Sequence, residues 1–223
     1  WEKFQNLVLK ERAIVKSTQS VIVKLNIDDS INEIQRPISV TDESTSVPDG
    51  YARWQKTNVE KQSQSGFNSV FIGLEAGDIT ANQLRSVAEI IRDYSAEGFA
   101  RNGFSQNIVI RYVHDDDLTS LYSKLLETGL AKSGSLTMAS AVGCSGTTSC
   151  NLALTNSHRL AKEVQRKFLE LNFDEDDDLR DSTIKISGCP NSCGQHQIAT
   201  IGFYGGGGRH ESNMFPNYTM SLG

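Results

Sequence analysis

The sequence predicts an α+β protein in which alternating strands and helices precede a second segment of short strands and loops. Two observations carry this prediction. Two strand-like runs, at 69–74 and 107–112, are each followed by a helical pattern of apolar residues. All four cysteines of the 223-residue chain lie in two glycine-containing loops, at 144–150 and 189–193, that adjoin further β-branched runs.

Composition and charge exclude several classes of protein. The hydrophobic fraction of 38% and the charged fraction of 22% are ordinary for a globular chain of one or two modest domains. A net charge of −5 argues against nucleic acid as a main partner. No apolar stretch approaches about eighteen residues, so no membrane span or secretory signal is expected. A reducing, cytoplasmic compartment is therefore the default expectation.

The first fifty residues are predicted to be a linker or docking arm without chemistry. Residues 1–27 combine a helical pattern with a β-branched run, and 28–50 are polar and rich in turn residues. The chain begins at Trp1 and ends on the strand-like run 217–223. We therefore expect a fragment of a longer polypeptide.

Residues 51–130 predict a split β-α-β arrangement, because each strand is followed by an amphipathic helix. Thr80 is expected to cap the first helix with Gln83 three residues later, the capping-box pattern. The second helix is expected to carry Asp115–Asp117 in its first turn, where carboxylates suit the helix dipole. The predicted buried faces are Leu84, Val87, Ala88, Ile91 and Tyr94 on the first helix, and Leu118, Leu121, Tyr122, Leu125 and Leu126 on the second.

In residues 131–223 the cysteine loops are expected at strand ends. A strand over 135–142 leads to Cys144, and Cys150 is placed at the start of a helix that runs to about Leu171. A thiolate at a helix N-terminus is favoured for metal binding. Strands at 183–187 and 198–204 flank the second loop, which therefore connects one strand to the next.

Several conspicuous residues receive structural interpretations. Met138 is predicted to be a core residue, and His158 is not expected to be a metal ligand because four cysteines suffice. The acidic run Asp174–Asp178 lacks the ligand order of an EF-hand and is interpreted as a solvated loop. Gly205–Gly208 is interpreted as a flexible hairpin, since no phosphate-binding pattern follows it.

The spacing of the cysteines indicates the kind of metal site. Five residues separate the first pair, three the second, and 38 lie between the pairs. Paired zinc ligands are usually spaced more closely, and the C-x2-C runs of small ferredoxins are missing. Wider loops suit a bulkier cluster of four irons and four sulfides. Glycines in both loops, with Pro190, permit tight turns that bring backbone N–H groups toward sulfur.

The loops CSGTTSC and GCPNSCG, the second preceded by TIKIS, resemble the cluster-and-siroheme signature of the sulfite and nitrite reductase family. The block from WQKTNVEK to RNGFSQNIVI is similar to the repeated half-domain of that family. The resemblance implies an α+β fold with a ferredoxin-like split β-α-β half-domain at 51–130. An α+β siroheme and 4Fe-4S domain with a mixed sheet would follow at 131–223.

The resemblance also implies a function and its cofactors. The expected reaction is the six-electron reduction of sulfite to sulfide or of nitrite to ammonia, at a siroheme coupled to a 4Fe-4S cluster. Cys144, Cys150, Cys189 and Cys193 would be the cluster ligands. Cys193 would also bridge the cluster to the siroheme iron, with the oxyanion on the opposite face, and is therefore the catalytic candidate.

Further residues are assigned to the siroheme environment by the resemblance. Asn191 would approach the siroheme periphery, and Gln195 and His196 are weaker candidates beside it. Because siroheme carries many carboxylates, its pocket should be rich in arginine and lysine. Lys185 and Arg209 are too few to bind these carboxylates. Most of the basic residues of the pocket are therefore expected from a missing N-terminal half of the same polypeptide. The candidates carried over from the half-domain are Arg101, Gln106 and Asn107.

Two other functions remain open at this point. One is a cofactor-binding or electron-transfer module without reductase activity, and the other is a related siroheme-family enzyme of cobalamin biosynthesis. The sequence does not choose between sulfite and nitrite. Ferredoxin is the electron donor that the family implies, since nothing in the chain resembles a flavin or nicotinamide domain.

Overall fold

A computed structural model describes residues 5–6, 9–10 and 47–223. The helix and β-branched run predicted within 1–27, and the linker predicted up to residue 46, lie outside these residues apart from the two short pieces. Among the described residues, no helix is long and apolar enough to cross a membrane.

The first sheet has four antiparallel strands in the order β1-β2-β4-β3. This part confirms the predicted split β-α-β arrangement, with both helices close to their expected positions. A single 3-10 turn, Asp115–Asp117, precedes the last helix. The elements are α1 (Tyr51–Asn58), β1 (Val59–Lys61), β2 (Phe67–Ile72), α2 (Ala81–Tyr94), β3 (Ala100–Asn102), β4 (Ile108–His114) and α3 (Leu118–Glu127).

Helix α2 begins with the predicted capping box. Thr80 Oγ1 accepts the Gln83 N–H at 3.2 Å, while the Gln83 side chain accepts the Thr80 N–H at 3.1 Å. The buried stripe is Val87, Ile90 and Tyr94. The prediction was wrong for Leu84 and Ala88, which are exposed because α2 packs through the neighbouring stripe.

Helix α3 buries four of its five predicted residues, Leu126 being the exception at 46% exposure. On the strands, burial alternates as expected for a sheet that is covered on one face. The first core therefore lies between the sheet and its helices. Its largest fully buried side chains are Trp54, Ile72, Ile110, Leu121 and Leu125.

The second sheet has the order β5-β6-β7-β8 and is mixed, as predicted. Strands β5, β6 and β7 are parallel, and β8 is antiparallel to β7. Helix α4 covers one face, where Ala161 packs in a cluster with Ile184, Ile186 and Met138, which is a core residue as expected. The elements are β5 (Val142–Gly143), α4 (Ser157–Glu170), β6 (Ile184–Ser187), β7 (Ile201–His210) and β8 (Asn213–Leu222).

Two predictions around the first cysteine loop were wrong. Of the expected strand over 135–142 only Val142 lies in a strand, the two-residue β5 (Val142–Gly143). The preceding residues form turns, and the Leu136 N–H donates to the Thr57 carbonyl at 2.9 Å instead of to a strand. Helix α4 begins at Ser157 rather than near Cys150, because Asn156 caps it by accepting the Arg159 N–H at 3.0 Å.

Two further segments differ from their predicted form. Gly205–Gly208 are not a hairpin turn but part of β7, paired with residues 215–218 of β8. Asp174 is not solvated: it is buried and bonded to Arg53, which joins α1 to the turn after α4.

Candidate functional site

The two cysteine loops start at the same end of neighbouring parallel strands. Cys144 follows β5 directly, and Cys189 lies two residues beyond β6. In the pairing of these strands Gly143 lies opposite Ile186, and the Cys144 N–H donates to the Ile186 carbonyl at 3.0 Å. Because the carboxyl ends of parallel strands meet at one edge of a sheet, the topology brings both loops to that edge.

Gly188 joins the two loops. Its N–H donates to Cys144 Sγ at 3.1 Å, and its carbonyl accepts the N–H groups of Leu154 at 2.8 Å and Thr155 at 3.1 Å. A Cβ at this position would lie 2.9 Å from Gly146 Cα and 3.0 Å from the Thr155 carbonyl oxygen. The loops therefore approach so closely that only glycine fits between them.

Cys144 lies at the start of helix α4, the position that the sequence had assigned to Cys150. Its Sγ is 3.1 Å from Oγ of Ser157, the first residue of the helix. The same buried hydroxyl is 2.9 Å from the Cys144 carbonyl oxygen and can donate to it. The Gly188 N–H that donates to this sulfur favours a thiolate ligand there, whereas the single Ser157 hydroxyl proton can serve either the sulfur or the carbonyl but not both.

Ser187, the last residue of β6, anchors the second cysteine loop through its hydroxyl. Its hydroxyl accepts the Gly194 N–H at 3.1 Å and lies 2.9 Å from Nδ1 of His196. Ser192 and Gln195 have left-handed backbone conformations, with φ of 61° and 59°. The Gln195 N–H closes the turn by donating to the Ser192 carbonyl at 2.7 Å. The loop is thus fixed in shape by its own residues and by β6.

His196 and Gln195 contact the sheet beneath this loop. The buried His196 ring lies 4.9 Å from the ring of Tyr204, centroid to centroid. The Gln195 side chain accepts a hydrogen bond of 2.7 Å from Lys185 Nζ. Asn191 is exposed on the same loop. Lys185 of β6 therefore contacts the second cysteine loop through Gln195.

All four cysteines are free thiols; Cys189 is buried, Cys193 is exposed and the other two are half-buried. Within residues 47–223, no three histidine, cysteine or acidic side chains are close enough together to hold a metal ion. The donor set nevertheless suits an iron–sulfur cluster in its chemistry, with sulfur ligands on two joined loops and a backbone N–H directed at one sulfur.

Three predicted site residues line one cavity of about 480 Å³. Arg101 reaches it from β3, Asn107 from the loop residue just before β4, and Lys185 from β6. Asn107 is 4% exposed, and its Oδ1 has no hydrogen-bond partner among the described residues. This oxygen faces Gly103, where an added Cβ would clash with it, so the unpaired acceptor is enclosed by the neighbouring loop while the rest of the side chain lines the cavity.

Arg180 also lines this cavity, and the sequence analysis missed it. The available signal was its place in the chain, four residues before the strand that leads to Cys189. With Arg101 and Lys185 it supplies three basic side chains around one cavity. This arrangement suits a ligand with several negative charges.

Arg101 is held by Glu97, which also binds Arg111. Burial alone would raise the pKa of Glu97, but hydrogen bonds from Arg111 and Arg101 outweigh it and keep the pKa below its ordinary value. Part of the positive charge of Arg101 is therefore balanced within the protein.

Replacing Glu97 with glutamine is expected to lower the free energy of unfolding at pH 7 by about 1 kcal/mol, since two charged hydrogen bonds become weaker at a partly exposed site. The depressed pKa means that the unfolded state binds more protons in acid. The difference from wild type should thus be present above pH 4–5 and disappear as the pH falls below the folded-state pKa. Urea unfolding from pH 3 to 7 measures it, with exposed Glu89→Gln as the control.

Other candidates have local partners. Gln106 donates from Nε2 to the Gly143 carbonyl at 2.9 Å and accepts the Gly143 N–H on Oε1 at 3.1 Å. His158 Nε2 lies 3.1 Å from Asp78 Oδ1, and Arg209 donates to the Glu211 carbonyl at 3.0 Å. Arg209 therefore belongs to the β7–β8 turn, while Gln106 contacts the residue next to Cys144.

Comparison with families of known proteins matches residues 60–128 to the nitrite/sulfite reductase ferredoxin-like half domain. The chain is 30% identical over 173 residues to the ferredoxin–nitrite reductase of Synechococcus elongatus, covering 76% of this chain and 33% of that protein. It is also 30% identical over 146 residues to a sulfite reductase [ferredoxin] of Mycobacterium tuberculosis, covering 64% and 26%. The chain thus spans a third or less of the length of these relatives.

Solved structures share this fold. The chain resembles the Mycobacterium tuberculosis NirA protein with a TM-score of 0.56 and 24% identity, over 74% of this chain and 30% of that one. It resembles a dissimilatory sulfite reductase I with a TM-score of 0.50 and 15% identity, over 65% and 34%. These likenesses confirm the predicted α+β fold.

Proposed function

We propose that this chain, a member of the nitrite and sulfite reductase family, supplies the cluster-binding part of an enzyme that reduces sulfite to sulfide or nitrite to ammonia. The half domain and the named relatives support the oxidoreductase class. Residues 51–130 would form the half-domain and 131–223 the siroheme and 4Fe-4S domain. The substrates and the electron donor, ferredoxin, are those in the relatives' names.

One observation carries the proposal: Gly188 joins two cysteine loops at the carboxyl ends of adjacent parallel strands. Its N–H reaches Cys144 Sγ while its neighbour in the chain is Cys189. We propose that Cys144, Cys150, Cys189 and Cys193 hold a 4Fe-4S cluster at this edge. The four cysteines are free thiols, which also suits a reducing, cytoplasmic compartment.

We propose further that the cavity lined by Arg101, Asn107, Arg180 and Lys185 receives carboxylates of siroheme. The guanidinium groups would bind carboxylates in pairs of hydrogen bonds, and Lys185 would add a point charge. Asn191 would contact the edge of the ring. When bound, the two cofactors would supply one-electron transfer from the donor to the oxyanion; this chain's residues would hold and orient them and balance their charge.

Cys193 would bridge the two cofactors, as the family resemblance implies, and it is the exposed cysteine of a loop whose backbone bonds to Ser187. Cys193→Ser in the full-length protein is expected to lower methyl-viologen-driven turnover at least about a hundredfold, since electrons lose their direct path. Full activity in this variant would refute the bridging role. The Ser192→Ala variant, in the same loop, is the matched control.

The test of the function itself is the absorption spectrum and activity of the anaerobically purified full-length protein. Siroheme bands together with consumption of sulfite or nitrite by reduced methyl viologen would support the proposal. Cluster absorption without siroheme would instead indicate an electron-transfer module. Siroheme without reduction of either oxyanion would favour a related enzyme such as that of cobalamin biosynthesis. The rate ratio between the two oxyanions would identify the substrate.

A further inference from the structure

Gln106 makes an unusual contact across the boundary between the two sheets. It lies in the loop between β3 and β4 and has a left-handed backbone conformation, with φ of 55°. Its side-chain amide spans both backbone groups of Gly143, at 2.9 Å and 3.1 Å. A non-glycine residue in this conformation carries backbone strain, which these two hydrogen bonds offset.

Helix α4 packs closely against Gly143. A Cβ there would lie 2.7 Å from Ala161 Cβ and 2.9 Å from the Ser157 carbonyl oxygen, so helix α4 presses on it from one side. Gln106 holds its backbone from the other sheet. The next residue is Cys144, so the way Gly143 is held contributes to its orientation beside the direct hydrogen bonds of Cys144 to Ile186 and Ser157.

A second glutamine, Gln165, makes a similar pair of hydrogen bonds to backbone groups, one of them just before Gly143 in the chain. Gln165 of α4 donates to the Ala141 carbonyl at 2.9 Å and accepts the Ala76 N–H at 3.1 Å. Ala76 also has a left-handed conformation, with φ of 50°. Two amides thus tie the first sheet to the segment 141–143, and Gln106 is the one adjacent to the cysteine.

We propose that Gln106 is a positioning residue for Cys144: through Gly143, the half-domain aims this thiol at the cluster. The inference deepens the proposed function and rests on it. The amide makes its hydrogen bonds to Gly143 rather than to the cavity, which its neighbour Asn107 lines. Adjacent residues therefore serve the two proposed cofactor sites separately.

The test does not need a loaded enzyme. In the reduced, metal-free chain, the rate of alkylation of each cysteine by iodoacetamide is measured by mass spectrometry. Gln106→Ala is expected to raise the alkylation rate of half-buried Cys144, relative to that of exposed Cys193, about tenfold. A tenfold change corresponds to the free-energy cost of leaving a buried group, here the backbone of Gly143, without its hydrogen-bond partner. Gln106→Glu, which still accepts the Gly143 N–H, should give a smaller rise. Gln55→Ala, at an exposed position of α1, is the control and should change neither rate.

The outcomes separate the inference from the function on which it rests. An unchanged ratio of Cys144 to Cys193 in Gln106→Ala would overturn the positioning role, as would an equal rise at all four cysteines, which indicates general loosening. Iron and sulfide content after anaerobic reconstitution with ferrous iron and sulfide is measured on the same samples. A selective rise at Cys144 in a wild-type chain that binds no cluster would retain the positioning of Cys144 and reject the proposed function.

Discussion

Replacing Gly188 with alanine is expected to abolish cluster binding by forcing the two cysteine loops apart. The new Cβ would lie 2.9 Å from Gly146 Cα, 3.0 Å from the Thr155 carbonyl oxygen and 3.2 Å from Ala153 Cβ. Two of these three atoms are backbone, so the loops must shift by several tenths of an ångström. The shift also breaks the N–H hydrogen bond to Cys144 Sγ. Loss of the visible absorption of the reconstituted cluster measures the effect.

The matched control is Gly207→Ala in β7. A Cβ there would meet only the flexible end of Met214, at 3.3 Å, and the position needs no left-handed backbone. We expect this variant to keep the wild-type cluster absorption. Equal absorption of Gly188→Ala and Gly207→Ala would contradict the role assigned to the contact between the loops.

Replacing Arg53 with methionine is expected to lower the free energy of unfolding by about 2–3 kcal/mol, because it leaves the Asp174 carboxylate buried without its cation. Arg53 donates from Nε to Asp174 Oδ2 at 2.7 Å and from Nη2 to Oδ1. The Asp174 side chain is completely buried, and Ser133 adds a hydrogen bond of 3.2 Å. Arg53 itself is 28% exposed, so solvent reduces the cost below that of a fully buried pair. Urea denaturation at neutral pH measures the change.

The control is the same substitution at Arg166, which pairs with Glu163 and Glu170 on the exposed side of α4. Solvent screens these pairs, so Arg166→Met should leave the unfolding curve nearly unchanged. If Arg53→Met is no less stable than Arg166→Met, the buried pair does not hold α1 to the turn after α4. The double variant Arg53→Met, Asp174→Leu should recover part of the loss, since no buried charge then remains.

The regular elements were predictable because their signals are local. The capping box at Thr80 and Gln83 sets the start of α2, and the alternating apolar and polar residues at 184–187 form β6. The true start of α4 was missed because an asparagine cap at Asn156 competes with glycine- and serine-rich turns upstream. The burial of Asp174 was missed because its partner, Arg53, is 121 residues away in the chain.

The two cysteine loops could be singled out from the sequence, but their contacts could not, and the assignment of their cysteines as cluster ligands stays a prediction. Cysteine spacing and the family resemblance identified both loops before any coordinates. The close approach at Gly188, the bond from Ser157 to Cys144 and the amide of Gln106 depend on how strands β5 and β6 pair. Sequence periodicity carries no information on these contacts, because each joins segments far apart in the chain.

The central claim is that the four cysteines together hold one 4Fe-4S cluster. The direct measurement is the iron and acid-labile sulfide content of the chain after anaerobic reconstitution, for wild type and for each single Cys→Ser variant. The account predicts about four irons and four sulfides per wild-type chain and a large loss of both in every variant. Zinc without sulfide in the wild-type chain, or full iron and sulfide in all four variants, would contradict it.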